Sequence, residues 1–218
     1  MKSQDPNQAH LQSIINLYTE GQLQQALSES SKMLERFPNS VILYNIAGAS
    51  NAALMQFDAA IESYKQALRI KPDYADAYYN MGVALNDKGD PEAAIESYKQ
   101  ALRIKPDYAK AYNNMGVALN DKGDPEVAIE SYKQALRIKP DYAEGHSNLG
   151  AALQLLNQTE PALASYEKAI SLKKDLNTAI SGLGMALLKK GEHSEGLDKL
   201  RQGDGSILFN IKSGLSIK

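Results

Sequence analysis

The apolar residues of this chain recur at the spacing of amphipathic helices, and two such helices alternate along it. Tyr78, Met81 and Leu85 recur every three or four residues and predict a first helix, called helix A below. The stripe that runs from Ile95 to Leu102 predicts a second, helix B. No strand pattern appears before residue 206. The pattern therefore predicts paired helices.

Turn and cap residues mark the ends of the predicted helices. Asp73 is placed to cap helix A, and Gly89 can take the left-handed conformation that ends it. Asp90 is placed to cap helix B, with Pro91 at the first helical position, where its missing N–H has no cost. Pro106 blocks the continuation of helix B. These signals give each helix pair its boundaries.

The pair of helices is itself repeated every 34 residues. Residues 75–108 and 109–142 are near-identical copies that differ only at repeat positions 2, 5 and 19. Diverged copies follow in the same frame, the last of them degenerate: 7–40, 41–74, 143–176 and 177–210. We expect one domain of stacked hairpins at 7–203, an N-terminal tail at 1–6 and a C-terminal tail or linker at 204–218.

The repeat resembles that of the tetratricopeptide repeat family. That family's pattern has an aromatic residue at position 4, Leu at 7, Gly at 8, Ala at 20, an aromatic at 24, Ala at 27 and Pro at 32. The fourth copy carries at these positions Tyr112, Met115, Gly116, Ala128, Tyr132, Ala135 and Pro140. The resemblance implies an all-α fold, a right-handed superhelical solenoid of antiparallel helix pairs.

The last copy and the tail depart from the pattern. Glycines occupy both predicted helices of this copy, at Gly182, Gly184, Gly196 and Gly203. Because an interior glycine costs a helix about 1 kcal/mol relative to alanine, we expect a short, mobile hairpin. Residues 207–212 then alternate as a strand does, with no evident partner, so we expect a short irregular or strand-like tail. Either the tail folds back over the last hairpin, or a further domain begins there.

Composition narrows the function classes. The 218 residues carry a net charge of −2, so no excess of positive charge attracts the chain to nucleic acid. They are 43% hydrophobic, which is enough for a buried core. The absence of cysteine suits a reducing compartment, and no apolar run approaches the roughly 20 residues of a membrane span. The three histidines lie in separate repeats. We expect a cytoplasmic protein with no membrane insertion, no metal, no cofactor and no catalytic residues.

The family resemblance also implies where a partner binds. Helix A forms the inner wall, chiefly through positions 2, 5, 6, 9, 12 and 13. In copies three to five these positions give a polar, amide-rich groove: Tyr79, Asn80, Asn86, Lys110, Asn113, Asn114, Asn120, Asn148 and Gln154. In copies one and two they give an apolar partner surface: Leu11, Ile15, Tyr18, Ile42 and Ile46.

Amides both donate and accept, so this column can hydrogen-bond the backbone of an extended peptide. The apolar surface can hold anchoring side chains. The alternatives are that the asparagines are only solvated and that the apolar residues pack under a cap or form a dimer contact.

A scaffold that binds a protein or peptide is therefore the predicted function. A chaperone-type clamp for a C-terminal carboxylate is not expected, because Thr178 and Gly182 stand where the family's second cationic pair would be. Two alternatives stay open. In the first, the chain is the N-terminal regulatory or substrate-recruiting module of a larger enzyme of transferase or oxygenase type. In the second, it is a scaffold that self-assembles into a homo-oligomer.

Overall fold

A computed structural model describes residues 5–204, 207–210 and 214–217. These residues form twelve α-helices and two short strands. The elements are α1 (Gln8–Thr19), α2 (Leu23–Arg36), α3 (Val41–Ala53), α4 (Phe57–Ile70), α5 (Ala75–Asp87), α6 (Pro91–Ile104), α7 (Ala109–Lys122), α8 (Pro125–Ile138), α9 (Ala143–Leu155), α10 (Thr159–Leu172), α11 (Asn177–Lys190), α12 (His193–Asp204), β1 (Ile207–Asn210) and β2 (Gly214–Ile217). The all-α class and the helix pairs predicted from the sequence are confirmed. No described helix is both long and apolar enough to cross a membrane.

The chain divides into two compact units, Met1–Asp107 and Tyr108–Lys218. The first contains α1 to α6 and the second α7 to α12 with the two strands. In each unit every A helix packs on the B helix that follows it, and short connections make the two antiparallel neighbours. Each hairpin also contacts the next within its unit. Consecutive A helices meet in this way: α1 with α3, α3 with α5, α7 with α9, and α9 with α11.

A glycine on helix A and a tyrosine on helix B are in close contact inside four hairpins. A Cβ atom added at Gly82 would lie 2.7 Å from the Tyr98 ring, and one at Gly116 would lie 2.6 Å from the Tyr132 ring. The same contact joins Gly48 to Tyr64 and Gly150 to Tyr166. The tyrosine ring therefore lies directly on the helix A backbone, which only glycine permits.

The helix boundaries follow the local signals with one exception. Gly89 has φ +90°, as its position predicts, and α6 ends at Ile104, two residues before Pro106. The expected capping of helix A by Asp73 is wrong. Helix α5 starts after Tyr74, and no side chain caps it, because Asp73 lies one residue too early to reach the first turn.

The two near-identical B helices α6 and α8 begin differently. The Asp90 side chain accepts a hydrogen bond from the Ala93 N–H at 3.1 Å, which confirms its predicted capping role. Asp124 caps nothing; its carboxylate pairs with Lys122 at 3.0 Å instead. An exposed ion pair of this kind contributes little to stability.

We expect the substitution Asp90→Ala to lower the free energy of unfolding by about 1 kcal/mol, because it removes the cap of α6. Asp124→Ala should cost less than half as much, since α8 has no side-chain cap to lose. Urea unfolding of the two variants beside the unchanged chain measures the difference. Equal losses would contradict the assignment of the cap to α6 alone.

The last hairpin is longer than its glycines predict. Helix α11 has 14 residues and α12 has 12, so the expected short hairpin is wrong. A Cβ added at Gly184 would lie 2.8 Å from the carbonyl oxygen of Gly196, so the two backbones touch. The glycines therefore permit a close approach of α11 and α12, and the packing against α11 supports a helix that propensity alone disfavours.

The tail contains a two-stranded hairpin. Strand β1 pairs antiparallel with β2, with Ile207 opposite Ile217, and β1 contacts α12. The expectation of a strand without a partner is therefore wrong; a four-residue strand that contains glycine and serine is too short to show alternation. The predicted tails and the end of the predicted alternation fall partly on residues 1–4, 205–206, 211–213 and 218, outside the described residues.

Candidate peptide-binding face

The A helices of a unit form one surface, which is called its A-helix face below. In the first unit, where these helices are α1, α3 and α5, the face carries an amide pair that joins two consecutive repeats. The side chain Nδ2 of Asn80, on α5, donates to Oδ1 of Asn45, on α3, at 3.0 Å. Both side chains are half-buried. Tyr79, the neighbour of Asn80, has its ring centroid 6.0 Å from that of Tyr98 in a tilted contact. The predicted groove residues Tyr79 and Asn80 are thus held by protein contacts.

The second unit repeats this arrangement and extends it. Asn148 Nδ2, on α9, donates to Asn113 Oδ1, on α7, at 3.0 Å, and Asn113 Nδ2 donates to Asn114 Oδ1 at 3.1 Å. Asn113 is only 4% exposed, whereas Asn114 and Asn148 are half-buried. Lys110 is exposed at the first turn of α7. Three of the predicted amides therefore form one hydrogen-bonded row, which is called the asparagine row below.

The amides at repeat position 12 bind buried tyrosines. Asn120 Nδ2 donates to the Tyr132 hydroxyl at 3.2 Å, and the Tyr166 hydroxyl donates to Gln154 Oε1 at 3.0 Å. Asn86 has the same position in the first unit and is half-buried. Sequence reasoning placed these amides in the groove but missed this bond. The constant separation of 12 residues between amide and tyrosine is the signal that could have revealed it.

Burial changes the acidity of these tyrosines. It raises the pKa of Tyr166 to about 12. Burial, and then the charge of Asp121, also raise the pKa of Tyr132 well above its ordinary value, although the bond from Asn120 acts in the opposite direction. Both phenols therefore stay neutral at pH 7 and act only as hydrogen-bonding groups.

The apolar residues of the first two repeats divide between core and surface. Ile46 is buried in a cluster with Leu43 and Ile14. Three others of the predicted surface are partly buried and pack against this cluster: Leu11, Ile15 and Tyr18. Ile42 remains 38% exposed. The exposed apolar area at this end of the A-helix face is thus smaller than the sequence suggests.

Two pockets of the first unit were not predicted. One, of about 250 Å³, opens on the A-helix face and is called the repeat-two pocket. Its walls include Ala49, Ala52 and Ala53 of α3, with Tyr18 and Tyr64 from the neighbouring helices. Small residues at three positions of one helix are the signal that sequence reasoning missed.

The second pocket, of about 540 Å³, lies on the B-helix side. Helices α4, α5 and α6 form it, with apolar side chains that include Ile61, Met81 and Leu85. Charged side chains also line this pocket, among them Lys88 and Asp58, which form an ion pair at 2.6 Å. In the described residues no three histidine, aspartate or glutamate side chains come together in a group able to hold a metal ion.

Comparisons with known proteins agree with this architecture. The family description "TPR repeat" matches residues 53–89, 84–123 and 118–157, and "Tetratricopeptide repeat" matches residues 143–176. Together these segments cover more than half of the chain.

Three relatives illustrate the likeness. A probable UDP-N-acetylglucosamine–peptide N-acetylglucosaminyltransferase of Arabidopsis thaliana is 36% identical over 76 residues, which span 35% of this chain and 8% of that protein. The crystal structure of MamA is 28% identical with a TM-score of 0.65, and the match covers 72% of this chain and 91% of that one. That of PilW, a type IV pilus biogenesis factor, is 22% identical with a TM-score of 0.82, over 92% and 94%. Given helix pairs that recur every 34 residues and four matched repeat segments, the chain belongs to the tetratricopeptide repeat family.

Proposed function

We propose that this chain is a non-catalytic scaffold that binds an extended segment of a partner protein along its A-helix face. Tetratricopeptide repeat proteins bind protein or peptide partners. The observation that supports an extended segment on the A-helix face is the asparagine row of Asn148, Asn113 and Asn114. The cytoplasmic location predicted from the cysteine-free sequence is part of the same proposal.

Asn148 of the asparagine row suits a peptide backbone because its amide retains bonding capacity. An asparagine amide has two N–H donors and an oxygen with two lone pairs. The bond from Asn148 to Asn113 uses one donor of Asn148 and one lone pair of Asn113. Asn148 is half-buried, so its remaining groups reach the surface while its orientation is fixed.

Fixed orientation favours binding. A side chain that is already ordered loses little conformational entropy when it meets a ligand, whereas a free one costs about 0.5–1.5 kcal/mol. An extended peptide presents N–H and C=O groups that its own backbone does not satisfy. Amides that both donate and accept can bind these groups whatever the peptide sequence.

The double substitution Asn114→Ala with Asn148→Ala tests this proposal. The probe is a set of 12-residue peptides selected on the full chain from a random phage-displayed library, with Kd measured by fluorescence polarisation. Two lost hydrogen bonds of about 1 kcal/mol each should weaken binding about thirtyfold. Circular dichroism should show unchanged helicity.

The matched control replaces two amides on B helices of the same unit, Gln134→Ala with Gln202→Ala, and should change Kd less than twofold. Both lie at the same repeat position, away from the A-helix face. The proposal fails if the asparagine variant keeps the affinity of the unchanged chain, or if the glutamine variant loses as much.

A second candidate is a substrate-recruiting module of a larger enzyme. The match to the Arabidopsis transferase favours it, because it joins a repeat segment like this one to an enzyme of which it spans only 8%. The gene decides the point: an open reading frame that continues beyond residue 218 into a further domain supports this candidate, and a stop codon removes it. Self-assembly stays a prediction, which light scattering over a range of concentrations tests.

A further inference from the structure

Four hairpins have a tyrosine at repeat position 24, and the repeat-two pocket lies in the one of them that lacks an amide at position 12. In the second unit this amide is Asn120 or Gln154, and each bonds the tyrosine 12 residues later. In the second repeat the residue is Ala52, and its methyl group cannot reach Tyr64. Within the described residues the Tyr64 hydroxyl forms no hydrogen bond.

The Tyr64 side chain forms part of the wall of this pocket. It is only 2% exposed, and its ring lies against the backbone of Gly48. Tyr64 nevertheless lines the pocket, beside Ala49 and Ala52. A hydroxyl group in a pocket that has no protein partner stays available to a ligand that can hydrogen-bond it.

The pocket also carries a single formal charge. Asp87 and Asn80, both on α5, line it, and no lysine or arginine does. Asp87 is exposed, and the partial burial of its carboxyl group raises the pKa of that group above its ordinary value. Among the described residues its carboxylate forms no ion pair, unlike Asp58, which binds Lys88.

Burial, and then the neighbouring Tyr18, raise the pKa of Tyr64 far above its ordinary value. Tyr64 is therefore neutral at pH 7, and the charge of the pocket is that of Asp87 alone. A cation that enters the pocket would offset the negative charge of this carboxylate.

We propose that the repeat-two pocket binds an arginine side chain of a partner protein. This inference rests on the proposed function and adds a specificity site to it. The guanidinium has five donors in a flat fork, which suits the acceptors that the pocket offers: the Asp87 carboxylate, the tyrosine hydroxyls and the Asn80 oxygen. A volume of about 250 Å³ lies below the roughly 300–1,000 Å³ of small-molecule sites and suits one side chain.

A titration of the full chain tests this, with alanine methyl groups labelled with ¹³C and followed by NMR. The probes are acetyl-Ala-Ala-Arg-Ala-Ala-amide and the same peptide with citrulline, which keeps the shape of arginine and removes its charge. We expect the arginine peptide to shift the methyl signals of Ala49, Ala52 and Ala53 with a Kd about tenfold lower than that of the citrulline peptide. The same peptide with lysine in place of arginine should have a Kd between those of the other two peptides.

Ala52→Asn supplies the amide that other repeats carry and fills the pocket. It should abolish the shifts at Ala49 and Ala53 while helicity stays unchanged. Asp87→Asn should remove the preference for arginine over citrulline, whereas the matched change Asp121→Asn, at the same position of the fourth repeat, should leave it intact.

Equal affinity for the arginine and citrulline peptides, absence of shifts at the three alanines, or an undiminished preference in Ala52→Asn would each overturn the inference. The asparagine row lies in the other unit and is tested with different peptides and different variants. A negative result for the arginine peptide would therefore leave the proposed function standing. A negative result for the asparagine row would appear separately, in the Kd of the Asn114→Ala and Asn148→Ala variant for the selected peptides.

Discussion

Replacing Tyr132 by alanine is expected to lower the free energy of unfolding by about 3–5 kcal/mol. The side chain is 1% exposed, and its ring lies on the backbone of Gly116. Gly116 itself has no side chain that could occupy the space that the ring leaves. Urea unfolding followed by circular dichroism measures the loss.

Phenylalanine variants separate the ring from the hydroxyl. Tyr132→Phe keeps the ring but removes the partner of Asn120, so we expect a loss of about 1 kcal/mol. Tyr64→Phe should cost less, because no hydrogen bond within the described residues is lost there. A loss below about 1 kcal/mol for Tyr132→Ala, or equal losses for the two phenylalanine variants, would contradict this account of the hairpin core.

The fold was predictable because its signals are local and repeated. Gly89, Asp90 and Pro106 mark the ends of the two helices of one hairpin, and the same residue types recur in the next copy. The period then places every hairpin by alignment to the clearest one. The Asp73 cap failed because a cap depends on where the helix starts to within one residue, which the pattern of apolar residues does not resolve.

The candidate site was only partly predictable, because its contacts join different repeats. The positions of Asn113 and Asn148 on the A-helix face follow from the repeat frame, but the bond between them depends on how α7 packs against α9. The same holds for Asn45 and Asn80, which are 35 residues apart. Residue type at one position therefore predicts the face and leaves the partner undetermined.

The repeat-two pocket shows a second limit. It combines Tyr18, Ala52 and Asp87 from three successive repeats, so no single hairpin contains it. A sequence signal does exist: position 12 is an amide in the third to fifth repeats, whereas the second repeat has Ala52 there although it keeps the tyrosine at position 24. Its meaning depends on Tyr64, and the link between the two positions becomes clear only from the bonds that Asn120 and Gln154 form.

The last hairpin allows two opposite predictions for the same substitution. If Gly184 and Gly196 merely weaken their helices, replacing each with alanine should stabilise the protein by up to about 1 kcal/mol. The structure predicts the reverse, because a Cβ at Gly184 would lie 2.8 Å from the Gly196 oxygen and one at Gly196 would lie 2.9 Å from the Gly184 oxygen.

Backbone atoms cannot move aside as the end of a flexible side chain can, so Gly184→Ala should overpack the contact of α11 with α12. We expect a net loss of about 1–3 kcal/mol in the free energy of unfolding and faster amide hydrogen exchange in α12. Gly191→Ala is unsuitable as a control, because Gly191 has φ +95°; Ser194→Ala, at an exposed position of α12, serves instead. A gain in stability for Gly184→Ala would show that α12 does not depend on this close approach, and that propensity governs the hairpin after all.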